Sequence, residues 1–160
     1  MNAIQLLTQQ HRQMEKALEA VLQAEPSKQR ALFESVADEL MAHVVSEETL
    51  FYPAVKAKRT EDILLESLEE HLSLKRILAD VLVLRTSDEH FAPKVQVLKE
   101  QAEHHHQEEE EKLFPTVKKL LNAEELEALG GLMAADQALS LEGQPRKSVV
   151  RQTSKAADLV

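Results

Sequence analysis

"HVVSEETLFYP" (His43–Pro53) and "HHQEEEEKLFP" (His105–Pro115) are two copies of one pattern. Setting Pro53 on Pro115 aligns His43 with His105, Glu47 with Glu109 and Glu48 with Glu110. Phe51 and Tyr52 then fall on Leu113 and Phe114. Each copy reads His-x-x-x-Glu, a second Glu, an apolar pair and Pro. The i, i+4 spacing puts the His and the first Glu on one helix face, one turn apart. A single run of this kind is most simply a solvated charged face. Two copies in the same register ask for a shared role.

The segments around the two copies read as helices. The first spans about Asn2 to Glu25, with Ile4, Leu7, Met14, Leu18, Val21 and Leu22 at helical spacing and Pro26 ending it. Ser27 is an expected N-cap for the second, which carries Leu32, Val36, Leu40, Val44 and Leu50 and which Pro53 kinks or ends. The third opens after Thr60 with acidic residues in its first turn, where the helix dipole favours them. The fourth spans about Lys94 to Leu121. Asn122 caps a shorter fifth helix, in which Gly130-Gly131 is an expected interruption. Helices one and two repeat as helices three and four, because the His11–His43 interval nearly equals the His71–His105 interval. Four amphipathic helices with short connections predict an all-α, antiparallel up-down-up-down four-helix bundle with a short C-terminal fifth helix. The expected domain is 1–142. Residues 143–160, basic and without period, are expected to form a disordered tail.

Composition narrows the function classes. Of 160 residues, 43% are hydrophobic and 29% charged, an ordinary globular balance. A net charge of −9 argues against general nucleic-acid binding, since phosphates would be repelled. No apolar run approaches the roughly 20 residues that span a bilayer, and no secretory signal is visible at the N-terminus, so the expected location is cytoplasmic. Cysteine is absent, which removes disulfides, thiolate ligands and cysteine catalysis.

Each long helix carries one His on its apolar stripe. His11 shares a face with Leu7, Met14 and Leu18, and His71 with Leu68, Leu74 and Leu78. His43 lies with Leu40 and Glu47, and His105 with Ala102, Glu109 and Leu113. His90, His104 and His106 are read as surface residues, His106 because its face carries Lys99 and Glu103. A lone His on an apolar face is usually a satisfied core residue. Four of them, joined by two inward carboxylates, are not explained that way, because an unpaired buried carboxylate costs several kcal/mol or more. Imidazole and carboxylate donors together in a helical bundle suit a di-iron or di-manganese centre. The candidate metal ligands are His11, His43, Glu47, His71, His105 and Glu109.

This six-residue constellation resembles the hemerythrin-like (HHE cation-binding) family over about residues 3 to 140. The resemblance implies two non-haem Fe ions, oxo- or hydroxo-bridged, with Glu47 and Glu109 spanning both. Lys75 stands where oxygen-carrying hemerythrins place a further His, and Glu109 stands one residue closer to its His than their Asp. The missing imidazole implies a more symmetric centre with fewer protein ligands and an open position for O2, NO or peroxide. Three functions compete: an enzyme decomposing peroxide or NO in stress response or iron homeostasis, a protein that reversibly binds or senses O2, NO or iron, and an interaction bundle with structural histidines.

Overall fold

The computed structural model describes residues 1–160, and they are all-helical, with no strand. Helix α1 is Ala3–Gln23 and α2 is Pro26–Ser46. A π-helical turn, Glu47–Phe51, joins α2 to the short α3, Tyr52–Val55. Helix α4 is Glu61–Leu82 and α5 is Phe91–Glu108. A second π turn, Glu109–Leu113, leads into α6, Phe114–Leu120. Helix α7, Ala123–Glu142, is followed by a 3-10 helix, Pro145–Gln152.

Caps and prolines explain the boundaries. Asn2 caps α1 and Asn122 caps α7 through reciprocal bonds with Gln5 and Glu125. Pro26 occupies the first position of α2, so Ser27 is not its N-cap; a missing N–H costs nothing there. Pro53 and Pro115 neither end nor sharply break their helices. Proline cannot donate to the carbonyl four residues back and its ring crowds that carbonyl. Just ahead of each proline the helix widens to i→i+5 bonding, with Tyr52 N–H donating to Glu47 O and Phe114 N–H to Glu109 O. The repeated motif thus builds the same local distortion twice.

The apolar residues form two layers with a polar layer between them. One layer holds Met14, Leu18, Val36, Leu40, Leu74, Leu78, Val95 and Leu98. The other holds Ile4, Leu7, Phe51, Tyr52, Leu64, Leu68, Leu113 and Phe114. Along α1 and α4 the chain passes from the second layer to the first, and along α2 and α5 it returns. Each crossing carries an inward His at the boundary: His11, His43, His71 and His105, all buried. Helix α1 packs against α2, α5 and α7, while α4 packs against α5 and α2.

Two further expectations are overturned. The Gly130-Gly131 pair does not interrupt α7. Gly130 is where the N-terminus crosses the helix: a Cβ there would stand 2.4 Å from Met1 O and 2.7 Å from Ala3 N, whereas one at Gly131 meets nothing within 4 Å. Gly130→Ala is therefore expected to lower the melting temperature by displacing residues 1–3. Gly131→Ala is expected to stabilise by about 0.8–1 kcal/mol through helix propensity alone. Thermal denaturation of the two variants side by side checks the contrast; equal shifts would remove the close approach as its cause.

Residues 143–160 are not a disordered tail. The 3-10 helix packs on α2 and α4 and buries Val149 in the first apolar layer. Arg146 donates to Asp38 through its backbone N–H (2.9 Å) and its guanidinium (2.6 Å), and pairs with Glu34 at 3.1 Å. Arg76 donates to Thr153 O at 2.9 Å, and Ala156, Ala157 and Leu159 reach the second layer. A few scattered apolar anchors among ion pairs have no helical period, so periodicity could not reveal them. Truncation after Glu142 is expected to cost at least about 2 kcal/mol, the scale of one buried Val. That corresponds to roughly 4–8 °C in Tm for a chain of this size. An unchanged melting curve would mean that the segment is detached in solution.

Candidate metal centre

His11, His43, Glu47, His71, His105 and Glu109 meet in the polar layer, and none exposes more than 2% of its surface. Glu47 spans the site: Oε1 lies 3.2 Å from His43 Nε2, and Oε2 lies 3.1 Å from His71 Nε2. Glu109 Oε1 lies 3.4 Å from His11 Nε2 and 3.3 Å from His105 Nε2. Among these six residues, two groupings have donor atoms mutually within 4.8 Å and could each hold an ion: His11, His43, Glu47 and Glu109, and then Glu47, His71 and His105. Glu47 belongs to both.

The second nitrogen of each imidazole is tied down from outside. His11 Nδ1 faces Glu110 Oε1 at 2.8 Å, and His71 Nδ1 faces Glu48 Oε2 at 3.0 Å. His43 Nδ1 faces Gln10 Oε1 at 2.9 Å, and His105 Nδ1 faces Glu70 Oε1 at 3.0 Å. These oxygens only accept, so Nδ1 carries the proton and Nε2 is the nitrogen turned to the centre. The outer partners obey the internal repeat as well: Glu48 corresponds to Glu110, and Gln10 to Glu70. Gln10 is in turn held by Gln137 of α7, whose Nε2 donates to Gln10 Oε1 (3.2 Å) and to Ser46 Oγ (2.7 Å).

Buried Nε2 atoms of His11 and His43, both Glu47 oxygens and Glu109 Oε1 have no aligned hydrogen-bond partner. Their mutual distances satisfy a charge contact but not hydrogen-bond geometry. Orphaned polar atoms at this density are expensive in a dry core. A cation bonded at ~2.0–2.2 Å satisfies several of them at once, so the donor set fits metal. Charge does the same work in the protein without an ion. Burial alone would lower His105, but the carboxylates of Glu109 and Glu70 reverse this and raise its pKa to about 10. Burial would raise Glu109, yet the adjacent His105 and His11 hold it well below the usual carboxylate range.

This donor set has a counterpart in sequence comparison. The family model described as hemerythrin HHE cation binding domain matches residues 2–117. The chain belongs to the hemerythrin HHE cation-binding domain family. It is also similar to a crystal structure of a hemerythrin HHE cation binding domain-containing protein from Mycobacterium kansasii. That likeness has 25% identity, a TM-score of 0.75, and covers 97% of this chain and 94% of the other. No curated protein matches the chain. No helix of this HHE chain is long and apolar enough to cross a membrane.

Three residues differ from the sequence expectation or were absent from it. His104 and His90 lie at the surface, but His106 is buried at 1% exposure. Its face is not wet; it is turned to α1, where Lys99 lies 3.8 Å from Glu19 and Arg12 pairs with Glu110. Charges that neutralise one another across a helix contact look like a solvent face in sequence. Burial, reinforced by the neighbouring His11 and His43, holds the His106 pKa well below its ordinary value. Lys75 is also buried, donating to Glu48 Oε1 at 2.8 Å and Oε2 at 2.9 Å, so its ammonium fixes the outer partner of His71. In the sequence Tyr52 is one half of an apolar pair with Phe51. Its hydroxyl donates to Glu109 Oε2 at 3.1 Å and lies 3.1 Å from His71 Nε2.

Proposed function

We propose that this chain is a non-haem di-iron protein that reacts with small oxidants, peroxide or NO ahead of O2, within an antiparallel up-down-up-down four-helix bundle. The observation that carries it is Glu47, whose two oxygens face imidazoles of different metal-sized groupings. A carboxylate so placed is suited to join two ions, and manganese would fit the same donors as iron. When bound, such a pair supplies electrons to, or accepts them from, a small ligand.

The chain's own residues do the rest. His11, His43, His71 and His105 are held by their outer partners and present Nε2. Glu47 and Glu109 neutralise charge from opposite copies of the motif. Tyr52 offers a hydroxyl proton at Glu109 Oε2. The apolar layers above and below exclude bulk water. A cleft of about 210 Å³ reaches His43, lined by Gln10, Met14, Glu39, Ala42 and Gln137. That is below the roughly 300–1,000 Å³ of organic-ligand pockets, so a diatomic or a peroxide suits it better than a metabolite.

The test is total metal per chain, followed by stopped-flow mixing of the anaerobically reduced protein with O2, NO and peroxide. Turnover of peroxide or NO, faster than decay of any O2 complex, is the expected result. An O2 complex lasting minutes to hours without turnover would favour reversible carriage or sensing. Purified protein with no bound metal, and none taken up on reconstitution, would favour the structural bundle.

A further inference from the structure

The internal repeat holds for the six site residues and their four outer partners, and it fails at three neighbouring pairs. Tyr52 corresponds to Phe114, Lys75 to Glu15, and Val44 to His106. The last two failures are linked, because His106 Nδ1 faces Glu15 Oε1 at 2.9 Å. His106 therefore has the arrangement of His11 and His43: Nδ1 tied by an outer oxygen acceptor, Nε2 buried without a hydrogen-bond partner. One ring nitrogen of His106 also lies within 4.8 Å of one on His11 and one on His43.

Resting on the two-ion reading above, we infer that His106 is a fifth imidazole ligand, on the ion held by His11 and His43. Nothing else in the fold accounts for the imidazole as well. A core histidine filling space would need both nitrogens satisfied, and only one is. The rings of His11 and His106 lie parallel, with centroids 4.0 Å apart. Sharing one ion requires them to fan apart by rotation about Cβ–Cγ, a torsion with broad, shallow wells in histidine. Glu15 can follow, because its carboxylate is only partly buried.

The consequence is an uneven centre. The ion on the His11 side takes three imidazoles and the ion on the His71 side takes two. Sequence alone implied a more symmetric site, because Lys75 removes the family's further imidazole from α4. Here a fifth imidazole is supplied from α5, on the opposite ion. The ion beside His71 is then the one with fewer imidazole donors.

The test loads the full-length protein anaerobically with Fe(II) alone and combines two readouts. The first is a crystal structure of the loaded wild type with anomalous scattering at the iron edge. The second is a binding titration of wild type, His106→Gln and His104→Gln. Expected are two ions, His106 Nε2 within about 2.2 Å of one of them, and one of two binding steps weakened more than about 10-fold in His106→Gln. His104→Gln should titrate as wild type. Two ions with His106 Nε2 out of bonding distance would overturn the fifth ligand and leave the six-residue site standing. No ion at the site would overturn the two-ion reading and this inference together. The wild-type structure decides even if His106→Gln fails to fold.

Discussion

Glu109→Ala is expected to strip the centre of most of its metal. Glu109 Oε1 lies between His11 and His105, which come from different helices, and Oε2 accepts the Tyr52 hydroxyl proton. Removing the side chain takes a donor from the middle of the site and leaves the Tyr52 hydroxyl without this acceptor. Loss of an outer partner of a metal ligand typically costs about 10–100-fold in affinity. Loss of a donor placed between two helices should exceed about 100-fold. Metal analysis after extensive dialysis reads the effect directly. His104→Ala is the matched control, because His104 is exposed and only 3.6 Å from Glu70 at the surface. If Glu109→Ala keeps two ions per chain while His104→Ala loses them, the geometry described above is not the metal site.

The second large effect is on stability, and it should grow with pH. Ions held at a concentration about 1,000 times their Kd stabilise the fold by about 4 kcal/mol. For a chain of this length that is roughly 8–16 °C in Tm. Chelation should remove it. In the chelated protein His105 is raised above its unfolded value of 6.5, so its contribution is complete below pH 6.5 and is lost as pH rises through about 10. Glu109 is depressed below 4.5, so its contribution is present above that value and is lost only in more acid solution. Through these two groups the chelated form is most stable between about pH 4.5 and 6.5, while the depressed His106 works against it below pH 6.5. Metal competes with the imidazole protons, so the loaded form gains affinity as the same pH rises. The gap in Tm between loaded and chelated protein should widen from pH 6.5 towards pH 9. A gap that is constant, or that narrows, would show that the inward imidazoles are not the groups exchanging protons for metal.

The repeated motif, read as sequence, was enough to bring six residues together on paper, because helical geometry is local. A residue at i and another at i+4 share a face whatever the rest of the chain does. The repeat then matched helix to helix, and apolar periodicity separated buried faces from charged ones. The same reasoning named α1, α2, α4, α5 and α7 with boundaries near those observed. It also placed His43 and His105, rather than His104, on the inward face.

Everything that depended on what one helix does to another lay beyond that reasoning. His106 looks solvated in sequence because its face carries Lys99 and Glu103, yet the face is turned to α1 and the imidazole is buried; the position of Lys75 faces the site in sequence, but its pairing with Glu48 does not show there. Tyr52 looks apolar until its hydroxyl meets Glu109. The π turns follow from Pro53 and Pro115, but whether such a proline ends a helix or widens it depends on packing that holds the next turn in place. Residues 143–160 dock through scattered anchors, Val149, Arg146 and Leu159 among them, with no period for a sequence pattern to show. The local code determined which side chains share a face. Only the tertiary structure decided which faces are dry, which charges cancel, and which imidazoles are left with a free nitrogen pointing inward.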